Sequence, residues 1–221
     1  LSLMMPYLSS LRSGRGEAAG RALRLSLAVT MPLAAMLIAY PQFPFIMLRR
    51  EYLEAAPMLQ VLLVTIPFSA CNRVVTSLLY ASGMYRLVAV KGVTSNLFMT
   101  LLYYPLAIRM DGMGVVLARV TGALLNFTLS LYLGVRAGFK PPFTQLAVTC
   151  VIPLASSLTL AALGAPPWMA APIVLLVSGI AYAKLRIVSR GELKALYRAL
   201  PSGVASRLYS ILKPIVEAMY E

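Results

Sequence analysis

The chain has 221 residues, of which 60% are hydrophobic and only 12% charged, with seven acids against twenty basic residues and no histidine. Soluble globular domains carry about 25% charged residues, and the mean hydropathy here is +0.80, so the composition excludes an ordinary water-soluble domain. The net charge of +13 asks for an acidic partner, and its distribution along the chain decides which one.

In chain order, residues 1–11, LSLMMPYLSSL, are apolar from the start and lead into arginines. A secretory signal would lead instead into a small-residue cleavage site. The stretch reads as the end of a membrane helix that begins upstream, and the chain as a fragment of a longer protein. Six apolar stretches follow, at 25–48, 55–81, 88–108, 114–135, 143–163 and 168–188, separated by RREYLE, SGMYR, RMDGMG, RAGFKPP and GAPP. Each approaches the roughly 20 helical residues that cross a bilayer core. Open strands would leave backbone groups unsatisfied in lipid, and barrels show shorter, alternating segments. The expectation is all-α: a polytopic membrane helix bundle of six complete transmembrane helices plus the end of a preceding one, with 12–188 forming one lobe. Residues 189–221 form an amphipathic tail, Ser189 and Glu192 having capping-box spacing, and read as helices lying on the cytoplasmic membrane surface.

Charge orients the spans. Fifteen of the twenty basic residues fall in the first, third and fifth connectors, their immediate flanks and the tail, Lys91 being counted with the third connector. Arg49, Arg50 and Arg109 fall on the other side, and Arg73 and Arg119 lie within spans. By the positive-inside rule the C-terminus is cytoplasmic, which predicts a multi-pass protein of the plasma (inner) membrane. The alternation makes anionic membrane lipids the acidic partner and argues against nucleic acid.

All seven acids lie in connectors or the tail, and Cys71 and Cys150 fall within spans as small apolar residues. No carboxylate or imidazole base and no metal-ligand cluster stands within the spans, so the reading is a non-enzyme without cofactor or metal. The polar residues that are there follow helical spacing. Thr65, Ser69, Asn72, Arg73, Thr76, Ser77 and Tyr80 gather on one face of the second span. Arg73 lies eight residues before Ala81, about 12 Å of helix, and a charge near the bilayer centre costs about 2.5–3.5 kcal/mol on insertion scales. Either this face walls a wet cavity, or Arg73 snorkels to the interface. In the fourth span Arg119, Gly122, Asn126, Ser130 and Gly134 recur at three- and four-residue steps, which suits tight helix packing as well as a polar wall. Gly92, Asn96 and Tyr103 share a face of the third. The candidate substrate-cavity residues are Ser69, Asn72, Arg73, Thr76, Asn96, Arg119 and Asn126, and a cationic face suits a phosphate or pyrophosphate.

PYLSSLRSGRGEAAGRALRLSLAVTMPL, FIMLRREYLEAAPMLQVLL and YASGMYRLVAVKGVTSNLFMTLLYYPLAIRMDGMGVVLARV, taken in order, resemble the C-terminal half of polysaccharide flippases of the multidrug/oligosaccharidyl-lipid/polysaccharide exporter superfamily. Glu51, Tyr52, Ala55 and Ala56 match an acidic-Tyr motif, and Asn96, Pro105, Gly112 and Gly114 are compatible with a later one; Arg50, Val115 and Val116 depart from the pattern. The resemblance implies two lobes around a central cavity that opens to either membrane face and flips a lipid-linked oligosaccharide or polysaccharide repeat unit outward. This chain would be most of the second lobe, partnered by the missing N-terminal lobe, with Arg73 and Asn72 facing the cavity. A drug/cation antiporter of the same superfamily would be expected to carry an acid within its spans. A non-transporting subunit of a glycan-assembly complex would tolerate loss of Arg73.

Overall fold

The computed structural model describes residues 14–45, 50–185 and 187. The proposed helix end at 1–11 and the amphipathic tail at 189–221 lie outside these residues. Among the described residues the chain forms six α-helices and no strand: α1 (Arg15–Ala39), α2 (Ala56–Leu63), α3 (Ile66–Ala81), α4 (Tyr85–Arg136), α5 (Phe143–Ala162) and α6 (Pro167–Lys184), with 3-10 turns at Phe43–Phe45 and Arg50–Ala55.

The helices follow the apolar stretches, with four corrections. Helix α1 starts ten residues before position 25, because Ala18, Ala19 and Leu23 continue the buried stripe of Leu27 and Met31. Part of the expected basic connector is therefore helical. The helix stops at Ala39 rather than at 48, since Pro41 disfavours helical geometry at Tyr40. The single span expected at 55–81 is broken at Val64 and Thr65, and its two arms are bent by 46°. Pro67, in the first turn of α3, has no N–H to continue the α2 ladder, while the Thr65 hydroxyl donates to the Leu62 carbonyl at 2.7 Å. Helix α4 runs through the expected connector RMDGMG, interrupted only at Asp111, whose φ of 47° and ψ of −131° are non-helical.

That one residue turns α4 back on itself. We call its legs α4a (85–110) and α4b (112–136). Lys91 hydrogen-bonds Ser130, and Arg119 reaches Met99. A Cβ at Gly114 would collide with the Leu106 carbonyl oxygen. Only glycine lets the two backbones approach so closely at the hairpin's neck.

The remaining connections order the bundle. Helix α1 packs against α2, α3, α5 and α6, α3 against α4, and α5 against α6. The core forms where Leu23, Leu27 and Met31 of α1 meet Cys71, Val74, Val75, Leu78 and Leu79 of α3 and Phe139 beyond α4. At one end Arg15 donates to the Ala81 carbonyl and Arg24 to Gln145. At the other Tyr40 donates to the Ala165 carbonyl and Gln60 to the Ile38 carbonyl. Successive long segments thus run antiparallel, and Arg15, Arg86, Lys140 and Lys184 belong to helix ends and turns at one end of the bundle, the basic end.

Helices α1, α4, α5 and α6 are each long and apolar enough to cross a membrane, and α2 with α3 qualifies as a bent pair. The legs of α4 add one crossing if each is counted. Outward faces are largely apolar: Val93, Leu97, Leu101, Tyr104 and Ile108 form an exposed stripe on α4a, and Ile173, Leu176 and Ile180 do so on α6. This is compatible with a multi-pass membrane protein.

Candidate functional site

Three polar pairs at four-residue spacing meet where α3 enters the α4 hairpin: Asn72 and Thr76 on α3, Lys91 and Ser95 on α4a, Asn126 and Ser130 on α4b. Four residues is just over one helical turn, so each pair presents stacked side chains to its neighbours. The hydroxyls of Thr76, Ser95 and Ser130 lie 2.7, 2.9 and 2.7 Å from the carbonyls of Asn72, Lys91 and Asn126. Such back-bonding keeps short polar side chains satisfied within apolar helices.

Lys91 is at the centre. Only 5% exposed, it donates from Nζ to Asn72 Oδ1 at 2.6 Å, Thr76 Oγ1 at 2.7 Å and Ser130 Oγ at 3.1 Å. Three ammonium protons meet three oxygens. Ser130 Oγ also lies 2.6 Å from Asn72 Oδ1, which closes a cage joining α3, α4a and α4b. All three acceptors are neutral, so the cage satisfies the protons of Lys91 without neutralising its charge.

Beside the cage lies a polar cleft of about 50 Å³, walled by Ser69, Asn72, Asn96, Arg119 and Asn126 and floored by Met99 and Gly122. Arg119 is exposed at its lip, with Nη1 3.6 Å from Met99 Sδ, a weak acceptor. Asn126 Oδ1 is buried and has no hydrogen-bond partner among the described residues. Among the described residues no carboxylate lines the cleft. The arrangement can accept an anion through Arg119 with the field of Lys91 behind it, and a hydroxyl or amide N–H through the Asn126 carbonyl oxygen.

Of the seven residues singled out in sequence, Ser69, Asn72, Asn96, Arg119 and Asn126 wall one cleft. Thr76 stands one turn away, in the cage. Arg73 does not join them: it is exposed on the outer face of α3, 100° round the helix from Asn72. The stripe that was one face in sequence is thus divided, with Asn72 and Thr76 turned to α4, Tyr80 against Tyr85 at the start of α4a, and Arg73 exposed. The fourth-span stripe proves to be a packing seam as well as a wall, since Gly122 abuts Met99 and Gly134 abuts Val75.

Sequence reasoning missed Lys91. Counted with the basic residues of the third connector, it sits six residues inside α4, about 9 Å from the helix start. The available signal was Ser95 four residues on, which puts a second polar group on the same buried line. Among the described residues no group of His, Cys, Asp or Glu could hold a metal ion, and Cys71 and Cys150 are free thiols. Compared with known proteins, the chain matches no family model, and no curated protein or solved structure is significantly similar to it.

Proposed function

We propose that this chain is a membrane lobe that helps carry an anionic, lipid-linked headgroup across the bilayer, the substrate being a polyprenyl-phosphate-linked oligosaccharide or polysaccharide repeat unit moved from the cytoplasmic to the outer leaflet. In this reading the helices span the plasma membrane, the basic end faces the cytoplasm and anionic lipids, and a second lobe completes the cavity. The observation that carries the proposal is the cleft between α3 and the α4 hairpin, where Arg119 and, behind it, Lys91 bring two cations to amide and hydroxyl groups and no carboxylate among the described residues lines the wall. Arg119, exposed at the lip of the cleft, can hold phosphate through charge-assisted hydrogen bonds. The outward face of α3, where Arg73 is exposed, fits the wall of a wet cavity better than a lipid contact. A cationic cleft suits a drug/cation antiporter poorly.

A second reading has one observation in its favour. The cleft holds about 50 Å³, space for a few waters and less than a sugar, and Lys91 is fully hydrogen-bonded, as a seam in a non-transporting subunit of a glycan-assembly complex would be. The two readings separate in liposomes containing the complete protein and a fluorescent polyprenyl-diphosphate oligosaccharide whose outward movement is read by chemical quenching. Transport predicts that Arg119→Leu slows flipping at least about tenfold, or about 1.4 kcal/mol, with partial recovery in Arg119→Lys. Arg119→Leu and Arg73→Leu both flipping at the wild-type rate would sink the transport reading.

A further inference from the structure

A second depression adjoins the cleft. It is an open groove of about 690 Å³ along the flank of α4a; Tyr80 and Tyr85 close it towards the basic end, and Ala89, Gly92, Asn96 and Thr100 run along it between aliphatic neighbours. Those four recur at steps of three, four and four residues, so they form one ridge of the helix. None is large, and a Cβ built at Gly92 meets nothing within 4 Å. Groove and cleft share one residue, Asn96.

The ridge suits protein better than hydrocarbon. Asn96 and Thr100 are exposed and make no hydrogen bond among the described residues, although Asn96 stands eleven residues into α4, about 17 Å from its start and so roughly halfway across a hydrocarbon core of about 30 Å. A lipid chain would leave both side chains unsatisfied. A second helix would not: small residues let helix backbones approach within a membrane, and Asn and Thr side chains hydrogen-bond across such a contact. Charge specifies that helix further. Among the described residues no carboxylate stands opposite Arg119 or Lys91, whereas ionisable groups within a membrane pair with one another. The cleft of about 50 Å³ has room for a carboxylate. A second copy of this chain cannot supply it, since its described acids, Glu17, Glu51, Glu54 and Asp111, all stand at helix ends or in turns. In copies sharing one orientation even Asp111, the acid of α4, lies fifteen residues from Asn96, about 22 Å along the helix.

We infer that the α4a groove seats a membrane helix of the second lobe, and that this helix carries a carboxylate at the depth of Asn96 which reaches Arg119 through the mouth of the cleft. This rests on the transport reading above, which supplies the second lobe, and adds to it a contact surface and a resting counter-ion. An arriving phosphate takes Arg119 from the carboxylate, so the cleft is never left as an unpaired charge in lipid. Gly92 supplies the means of testing it, because the open space around its Cβ position lets a larger side chain enter the groove without disturbing the helices or the cleft.

The test places a photo-reactive benzoylphenylalanine at position 92 of the complete protein in its native membrane and identifies the crosslinked peptide by mass spectrometry. The expected product joins position 92 to an apolar segment of the same polypeptide, outside the 221 residues described here by sequence, with an Asp or Glu within about two helical turns of the attachment point. That acid and Arg119 should then behave as a pair. Arg119→Leu and neutralisation of the acid should each lower the thermal unfolding midpoint, the two together should lower it no further than either alone, and Arg119→Lys should keep most of the wild-type midpoint. Crosslinking to lipid alone, to a second copy of this chain, to a different protein or to a segment without an acid would each overturn the assignment, as would additive losses in the double variant. The transport reading fails separately. Normal flipping by Arg119→Leu with the crosslink and the pairing intact leaves a docking surface without a transport site, whereas a lipid crosslink with flipping lost in Arg119→Leu leaves the transport site without this docking surface.

Discussion

The Lys91 cage makes a prediction whose sign is unusual. Asn72→Leu deletes the oxygen shared by Lys91 and Ser130 and leaves a buried ammonium with one proton unpaired. A hydrogen bond to a charged group contributes about 1.5–3 kcal/mol, and a neutral side-chain hydrogen bond in a membrane bundle averages about 0.6 kcal/mol, so the variant should lose roughly 2–4 kcal/mol. Lys91→Met removes the charge itself. Asn72 Oδ1 then keeps Ser130 beside it, Thr76 keeps the Asn72 carbonyl, and the loss should be about 1 kcal/mol, since an apolar group of similar shape replaces the ammonium. The double variant Asn72→Leu/Lys91→Met contains no buried charge and should be more stable than Asn72→Leu alone by about 1–2 kcal/mol, or roughly 2–8 °C at about 2–4 °C per kcal/mol. The readout is thermal unfolding followed with a thiol-reactive dye, because Cys71, 3% exposed, becomes reactive only when α3 separates from α1. A double variant that melts below Asn72→Leu would refute the argument that neutral oxygens satisfy Lys91 without neutralising it.

The α4 hairpin gives two further tests. In Gly114→Ala the new Cβ meets the backbone carbonyl of Leu106, whereas in Gly122→Ala it meets the side chain of Met99 at 3.0 Å; the first should cost at least about 1–3 kcal/mol and the second much less, which unfolding midpoints of the two variants compare directly. Asp111→Gly relieves a backbone conformation that side chains rarely adopt and should raise the midpoint by about 2–4 °C for a gain near 1 kcal/mol; an unchanged or lower midpoint would mean that the Asp111 side chain contributes more than the strain removes. Outside the hairpin, Arg73→Cys should react with a membrane-impermeant thiol reagent in liposomes while Leu101→Cys, on the apolar stripe of α4a, should not. Equal protection of both would place the outer face of α3 in lipid.

The all-helical fold was legible because apolar runs of about twenty residues leave few alternatives, and α5 and α6 fall within four residues of their expected ends. Boundaries failed where one residue acts alone. Pro67 divides the second span, Pro41 shortens the first, and Asp111 compresses a six-residue connector to a single non-helical position. The cleft was legible because helical spacing had already placed Ser69 with Asn72, and Arg119 with Asn126, on their own faces, and the hairpin brought those faces together. Periodicity fixes which residues share a face, not which way that face turns. Arg73 and Asn72 therefore looked alike in sequence and diverge in space, since 100° of rotation separates a side chain against α4 from one pointing outward. Lys91 was hidden by the convention that lysine near a helix end seeks the surface.

The placement of Lys91 changes what the other cations can do. Hydrogen bonds donated to Asn72, Thr76 and Ser130 use the protons of the ammonium and leave its field intact, so an anion placed in the adjoining cleft would feel it without touching it. Arg119 alone at the lip would offer a forked contact exposed to water and weakened by screening. With Lys91 held rigidly behind it, the cleft combines a contact that can let go with a field that persists. That division suits a site through which an anion must pass more than one in which it must stay. If the proposed transport holds, Lys91→Met should keep the packing of the three helices and weaken binding of an anionic headgroup.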